Sequence, residues 1–421
     1  MTGRTELSSG TPGGAPHRPA LARCIAMEPA KFAAAHWGRA PLLSRAGDLA
    51  NPAGFTDLLD RAAADELLSR SGLRTPFLRV ARDGEVLAEA AYTGGGGAGA
   101  EISDQVLDER VLSLYADGAT LVLQGLHRLW PPIIDFTGEL AGVLGQPLQV
   151  NAYLTPAGNQ GFATHYDTHD VFVLQVQGRK RWRVHEPVLT DPLPRQTWSG
   201  RADEVAAQSD SAPALDTVLE PGDTLYLPRG WLHSATAQQD PSLHLTVGVR
   251  AWTRFTMVET LLDLAVDDPR LRASLPFGVD VTDPAGIEPE ATETIAALRD
   301  WLNTVTPQRI AAELRRRSWP ATRPAPLRPL AQAELIRCLT ADDRITRRPG
   351  LRWRLSAQPD GPVDLQVFDR TVSFPPQCVP ALQAVLESPG VRVGDLPGLD
   401  DDADRLVLAR RLLREAIAVG G

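Results

Sequence analysis

The chain has 421 residues, 43% of them hydrophobic and 23% charged, with 35 Gly, 35 Pro and a net charge of −9. That length predicts two or three domains rather than one, and the apolar fraction excludes a wholly disordered chain. The acidic balance argues against a surface that grips nucleic acid throughout and leaves only a local basic patch open.

No run of about 18 apolar residues occurs, so no membrane-spanning helix is expected. Residues 1–30 lack the uninterrupted apolar core of a secretory signal. Cys24, Cys338 and Cys378 stand far apart and match no zinc spacing. Their odd number fits a reducing cytoplasm, where thiols stay free.

Residues 1–20, rich in Gly, Pro, Ser and Thr, read as a disordered lead. Helical patterns follow near 29–36 and 56–70, with short strands at Pro76–Ala81 and Glu85–Ala91. Gly94–Ala100 is a loop by composition. Asp104–Tyr115 has helical spacing, Thr120–Gln124 reads as a strand, and a helix over Ile134–Gly145 follows Pro131 and Pro132. From about 148 to 250 the pattern becomes that of strands: Leu148–Leu154, Asp170–Val176, Arg179–Val184, Thr224–Leu227 and Leu243–Arg250. Gly and Pro punctuate them as in an antiparallel barrel or sandwich.

Helical patterns return at Phe255–Asp267, Thr292–Val305 and Pro307–Arg317, before a Pro-rich linker, Trp319–Leu330. The last segment reads as helix 331–340, strands near 352–357, 364–368 and 371–374, and helices 377–387 and 401–418. The expected organisation is α+β. A lead (1–20) precedes a catalytic barrel domain with N-terminal elaborations (21–252). A helical segment that could dimerise (253–320) and a winged-helix-like C-terminal domain (321–421) complete it.

The strongest local signal is His165-Tyr166-Asp167. In a strand, residues i and i+2 share a face, so His165 and Asp167 can present an imidazole and a carboxylate to one point. His233, 68 positions later, follows a turn, a short strand Leu225–Leu227 and a second turn at Pro228–Gly230 that returns it to the core. Two His and one carboxylate on one face of a metal leave adjacent positions open, as a non-haem Fe(II) oxygenase requires. A lone H-x-D arises by chance, and a buried His usually just bonds a neighbour. His17, His36, His127 and His185 receive that structural reading. His169 reads as a rim residue and His244 as core or support.

Gly222, Pro228, Gly230 and His233 match the second cupin motif, G-x5-P-x-G-x2-H. Where the first cupin motif usually has H-x-H, this chain has His165-x-Asp167, with Val171 in the usual Glu position and Gly178 in the Gly position. That departure resembles the JmjC branch, a double-stranded β-helix. The run from Asn159 to Trp182 resembles the ribosomal oxygenases, JmjC enzymes that hydroxylate side chains of ribosomal proteins. The motifs cover about 148–250.

The resemblance implies Fe(II), 2-oxoglutarate and O2, with His165, Asp167 and His233 as metal ligands. Alternation puts Lys180 on the face of Trp182 and Val184, opposite Arg179, Arg181 and Arg183. A lysine on an apolar face is costly unless it meets an anion. In the resembling family a lysine 13 positions after the metal Asp binds the distal carboxylate, which is the place of Lys180. The family pattern also implies Asn151 and Tyr153 beside 2-oxoglutarate, and Thr246 as a further hydroxyl contact. For Thr246 an ordinary β-branched strand residue is an equal reading.

The expected function is hydroxylation of a protein side chain, His or Arg of a ribosomal protein, by a cytoplasmic homodimer. One rival keeps the chemistry on a biosynthetic peptide or small metabolite. Lysine demethylation is a further rival that the motif run disfavours. A non-enzymatic rival is a metal or ligand sensor whose C-terminal module binds DNA through Arg344, Arg347, Arg348, Arg352 and Arg354. The aspartates and glutamates of 395–415 oppose a broad DNA face, so direct DNA binding is not expected.

Overall fold

The computed structural model describes residues 5–10, 19–50, 54–82, 84–357, 361–368 and 370–421. It divides into two compact units: Pro12–Ala251, and Trp252–Gly421 together with residues 1–11. The sequence reading of 1–20 as a disordered lead changes in part. Thr5–Gly10 (β1) forms a strand, whereas residues 1–4 and 11–18 lie outside the described residues.

In the first unit the strands are Leu42–Ser44 (β2), Leu78–Arg82 (β3), Glu85–Val86 (β4), Thr93–Gly94 (β5), Gln105–Val106 (β6), Thr120–Leu123 (β7) and Leu148–Thr155 (β8). Asp170–Gln177 (β9), Lys180–His185 (β10), Leu215–Leu219 (β11), Thr224–Leu227 (β12), Leu232–Ala237 (β13) and Ser242–Val249 (β14) follow. An eight-stranded sheet runs β2-β12-β9-β14-β8-β7-β3-β4, and a three-stranded sheet runs β11-β10-β13. The two sheets do not close into one continuous barrel. They form the two walls of a cupin jelly roll.

Burial explains the arrangement. Strand β9 is apolar on both faces because both are covered. Phe172, Leu174 and Val176 join an outer core with Phe32, Phe55, Phe136 and Leu140 of the N-terminal elements. Val171 and Val173 turn inward against Trp182, Val184, Leu219, Leu225 and Leu227. Strand β10 alternates buried and exposed, as its sequence predicts. Lys180, Trp182 and Val184 lie inside, while Arg181 and Arg183 reach out to Asp216.

Two turns need glycine. Gly178 has φ +65°, and a Cβ there would stand 2.2 Å from the Pro241 carbonyl oxygen. Gly230 has φ +87°, and its Cβ would meet the Leu189 carbonyl at 2.6 Å. Both positions combine a left-handed backbone with a close approach that a side chain would block.

Several boundaries shift. The helix expected to start at Ile134 begins at Pro131, since a missing N–H costs nothing in the first helical turn. Glu85–Ala91 is a strand only over its first two residues and then a 3₁₀ turn. Strands β11 and β13 and the helix Ala202–Ser209 fall in stretches without clean alternation.

In the second unit, helices span Arg254–Ala265, Pro284–Leu302 and Pro307–Ala321. The last of these takes up the start of the expected linker. After the helix Pro329–Cys338 come Arg344–Arg347 (β15), Trp353–Ala357 (β16), Val363–Val367 (β17) and Arg370–Phe374 (β18). Val391–Arg392 (β19) and Ala418–Gly420 (β20) complete the strands, with helices at Val379–Glu387 and Asp402–Arg414. One antiparallel sheet is β1-β16-β17-β18 and a second is β19-β15-β20. The three helices and the second sheet are the ingredients of a winged-helix-like module, and the four-stranded sheet is additional to it. They share one apolar core that includes Trp353, Phe374, Leu382 and Leu412.

Candidate metal centre and cosubstrate cavity

His165 lies just before β9 and Asp167 follows it in the same loop, while His233 opens β13. His165 and His233 are joined as an isolated antiparallel bridge, with backbone N–H groups donating in both directions. The turn at 228–230 is tied to the same loop, because Gly230 N donates to the Asp167 carbonyl at 2.9 Å. One ligand atom from each of His165, Asp167 and His233 falls within 4.8 Å of the others. His233 Nε2 stands 3.7 Å from Asp167 Oδ2.

The ring nitrogens are already assigned by their neighbours. His165 Nδ1 lies 2.7 Å from the Ala163 carbonyl and His233 Nδ1 lies 3.1 Å from the Trp231 carbonyl. A carbonyl only accepts, so both Nδ1 atoms carry the proton and both Nε2 lone pairs are left for a metal. Burial pulls the His233 imidazolium down to about 4, with His165 adding to the effect. Burial pushes the Asp167 carboxyl up, but His169, His233, His165 and Arg79 together hold it below the usual range. The set thus offers two imidazole Nε2 atoms and one carboxylate, the donor chemistry of an open Fe(II) site.

Sequence reasoning missed what braces this loop. The buried Asp170 carboxylate accepts from Tyr226 Oη at 2.7 Å and from Arg229 N at 3.0 Å. Those bonds lock the turn after β12 to the start of β9. An Asp opening an apolar strand was a signal, since a buried carboxylate needs donors.

A cavity of about 460 Å³ runs from the three residues into the space between the sheets. Lys180, Asn151, Tyr153 and Thr246 all line it. Lys180 is 3% exposed, and its Nζ donates to Thr155 Oγ1 at 3.0 Å. No acid pairs with it among the described residues, and burial pulls its ammonium down to about 7. A buried cation with one hydroxyl partner fits a bound carboxylate. Register pairs Thr246 with Asn151 across β14 and β8, and burial pushes the Tyr153 phenol up while Thr246 and Asn151 beside it pull it back. Asn151 Oδ1 accepts from Gly125 N at 3.2 Å.

The other histidines separate cleanly. His244 is buried and stacks on Tyr153, centroids 4.9 Å apart. His169 lines the cavity, contacts Gln149 at 3.4 Å and lies outside the three-residue cluster. His36 and His127 bond to backbone, His185 is buried, and His17 lies outside the described residues. Arg79, Thr155 and Trp198 are further neighbours of the site that no sequence motif marked.

Residues 138–257 match the JmjC domain family, and the fold and the His165, Asp167 and His233 cluster fit that class. Within that class the chain resembles the ribosomal oxygenases. It is 34% identical over 259 residues to ribosomal oxygenase 1 of Gallus gallus, covering 59% of this chain and 40% of that one. It is 31% identical over 275 residues to the bifunctional lysine-specific demethylase and histidyl-hydroxylase NO66 of Drosophila persimilis, covering 62% and 36%. The chain therefore spans well under half the length of these curated relatives. The fold is that of the Escherichia coli ribosomal oxygenase YcfD, with TM-score 0.55, 18% identity, and 94% and 98% of the two chains covered. A structure of that protein in complex with cobalt and 2-oxoglutarate matches with TM-score 0.52.

Proposed function

We propose that the protein is an Fe(II)- and 2-oxoglutarate-dependent oxygenase that hydroxylates a protein side chain, His or Arg of a ribosomal protein. The observation that carries this reading is Lys180, a buried amine without an acid partner in the same cavity as the His165, Asp167 and His233 cluster. His165, Asp167 and His233 would hold the iron through two Nε2 atoms and a carboxylate. Lys180 would bind the distal carboxylate of 2-oxoglutarate, with Asn151, Tyr153 and Thr246 donating beside it. The metal, once bound, supplies the activation of O2 that no side chain can provide. The protein's own contribution is to orient these groups and to keep water from the inner end of the cavity.

The names of the relatives support a ribosomal protein as substrate, and an acidic chain suits a basic partner. The DNA-binding rival finds less support. Arg344 and Arg348 donate to backbone carbonyls, and Arg354 pairs with Glu6. A cytoplasmic location is part of this reading, supported by three free cysteines. Among the described residues no helix is long and apolar enough to cross a membrane. A homodimer through the 253–320 helices is also part of it, supported by exposed Met257, Val258, Leu262 and Val266.

The test is succinate production from 2-oxoglutarate by the iron-loaded protein, followed by intact-mass analysis of ribosomal proteins from cells with and without it. A gain of one oxygen on a single protein names the substrate. No 2-oxoglutarate turnover with any ribosomal protein preparation rejects the reading.

A further inference from the structure

We propose that Arg79 is a charge filter, which keeps guanidinium and ammonium side chains out of the cavity and reserves it for an uncharged, acceptor-bearing side chain such as imidazole or carboxamide. This rests on the reading above and narrows its substrate class.

Arg79 belongs to β3 and alternates with Leu78 and Val80, which enter the outer core. Register pairs Arg79 with Val122 of β7, and Val122 with Tyr153 of β8. Laterally paired residues share a face, so Arg79 lies on the cavity side of the sheet with Tyr153. Its guanidinium sits 5.2 Å from the ring centroid of Phe162, which in turn meets the Tyr153 ring edge-on at 6.1 Å. The aromatic seat holds the cation beside the mouth, where half-exposed Trp198 and Val86 also line the opening.

Arg79 has no ion pair among the described residues, and its Nε is buried without a partner. Among the described lining residues the Arg, Lys, Asp and Glu side chains are Arg79, Lys180 and Asp167. In the loaded site a divalent ion, Lys180 and Arg79 would bring four positive charges against three negative ones on Asp167 and the dicarboxylate, so one positive charge is left uncompensated. A guanidinium or ammonium entering beside Arg79 would meet a like charge, with no free carboxylate among the described lining residues to pair with. A neutral imidazole or amide meets an N–H donor instead, and Arg79 has donors to spare.

The experiment uses the full chain loaded with cobalt and 2-oxoglutarate, so that binding is read without turnover. Calorimetric titration with 2-oxoglutarate comes first, and its failure would sink the cosubstrate reading on its own. N-acetylhistidine N-methylamide and N-acetylarginine N-methylamide are then titrated into the wild type, Arg79→Gln and Arg79→Glu. The wild type should bind the histidine probe at least about tenfold tighter than the arginine probe, the scale of a close like-charge penalty. Arg79→Gln should narrow that ratio and Arg79→Glu should reverse it. Equal binding, tighter binding of the arginine probe, binding of neither probe, or a ratio that Arg79→Glu leaves in place would each overturn the filter. Should either variant lose 2-oxoglutarate binding, the wild-type ratio and the other variant still decide.

Discussion

Lys180→Ala is the most telling perturbation. Burial takes the amine from its ordinary 10.5 to about 7, and Thr155 Oγ1 is its one hydrogen-bond partner among the described residues. A shift of that size corresponds to roughly 5 kcal/mol of unfavourable charge burial. The sign follows from proton counts. Between about pH 7 and 10.5 the folded chain holds fewer protons than the unfolded one, so without an anion its stability rises with pH across that window. Below pH 7 the folded chain carries the whole cost. A carboxylate seated against Nζ restores the ammonium. Above pH 7, 2-oxoglutarate binding should therefore take up a proton, and its affinity should fall towards about tenfold per pH unit. Lys180→Ala should weaken binding at least about a hundredfold, since stranding one partner of a buried charge pair costs about 3–5 kcal/mol. It should also abolish the pH dependence. Arg181→Ala is the control, because Arg181 is exposed and pairs with Asp216 at 2.6 Å on the outer face. Calorimetric titration of 2-oxoglutarate into the metal-loaded protein, in two buffers of different ionisation enthalpy, reads affinity and proton uptake together. Equal, small effects from Lys180→Ala and Arg181→Ala would refute the assignment and place the anchor elsewhere.

His165→Ala, Asp167→Ala and His233→Ala should each remove iron-dependent turnover while far-UV circular dichroism keeps its wild-type shape. Near-normal succinate production by any one of them removes that residue from the metal set. Asp170→Asn should destabilise the fold by about 1–3 kcal/mol, because an amide turned to accept from Tyr226 Oη leaves its other end facing Arg229 N with a donor. A denaturant midpoint equal to wild type would show that this brace is not needed. The helices that leave Val258, Leu262 and Val266 exposed should associate as a dimer, and light scattering that finds a monomer at micromolar concentration rejects it.

What the sequence could reveal depended on whether one segment held the signal. His165 and Asp167 sit two apart, and His233 carries its own turn signature, so the candidate cluster is legible in the sequence, although the first two meet in a loop before β9 and not on the face of a strand. Lys180 was legible for the same reason. The pattern Lys-Arg-Trp-Arg-Val sorts itself into two faces, and the inner and outer faces are those the alternation predicts. Strands β11 and β13 were not legible, because half-buried residues such as Thr217, Ser234 and Thr236 blur the period of two. The strand Thr5–Gly10 was hidden differently. Its composition is that of a loop, and it becomes a strand only through pairing with Trp353–Ala357, more than 340 positions away.

The same distinction governs the chemistry inside the cavity. Alternation puts Asn151 and Tyr153 on one face of β8, but it cannot say that Thr246 stands opposite Asn151 or that His244 stands opposite Tyr153. That knowledge lies in the order β14-β8-β7-β3, which also brings Arg79 to the cavity face two strands from Tyr153. Each motif residue is legible because its chemistry is contained in its own segment. Arg79 has no such motif, and its proposed role comes only from what surrounds it: the Phe162 ring, no ion pair among the described residues, and a cavity whose described lining carries Lys180 and one carboxylate, Asp167. The proposed metal and cosubstrate groups are thus encoded locally, in motifs, whereas the proposed selection of the substrate side chain is encoded in sheet order.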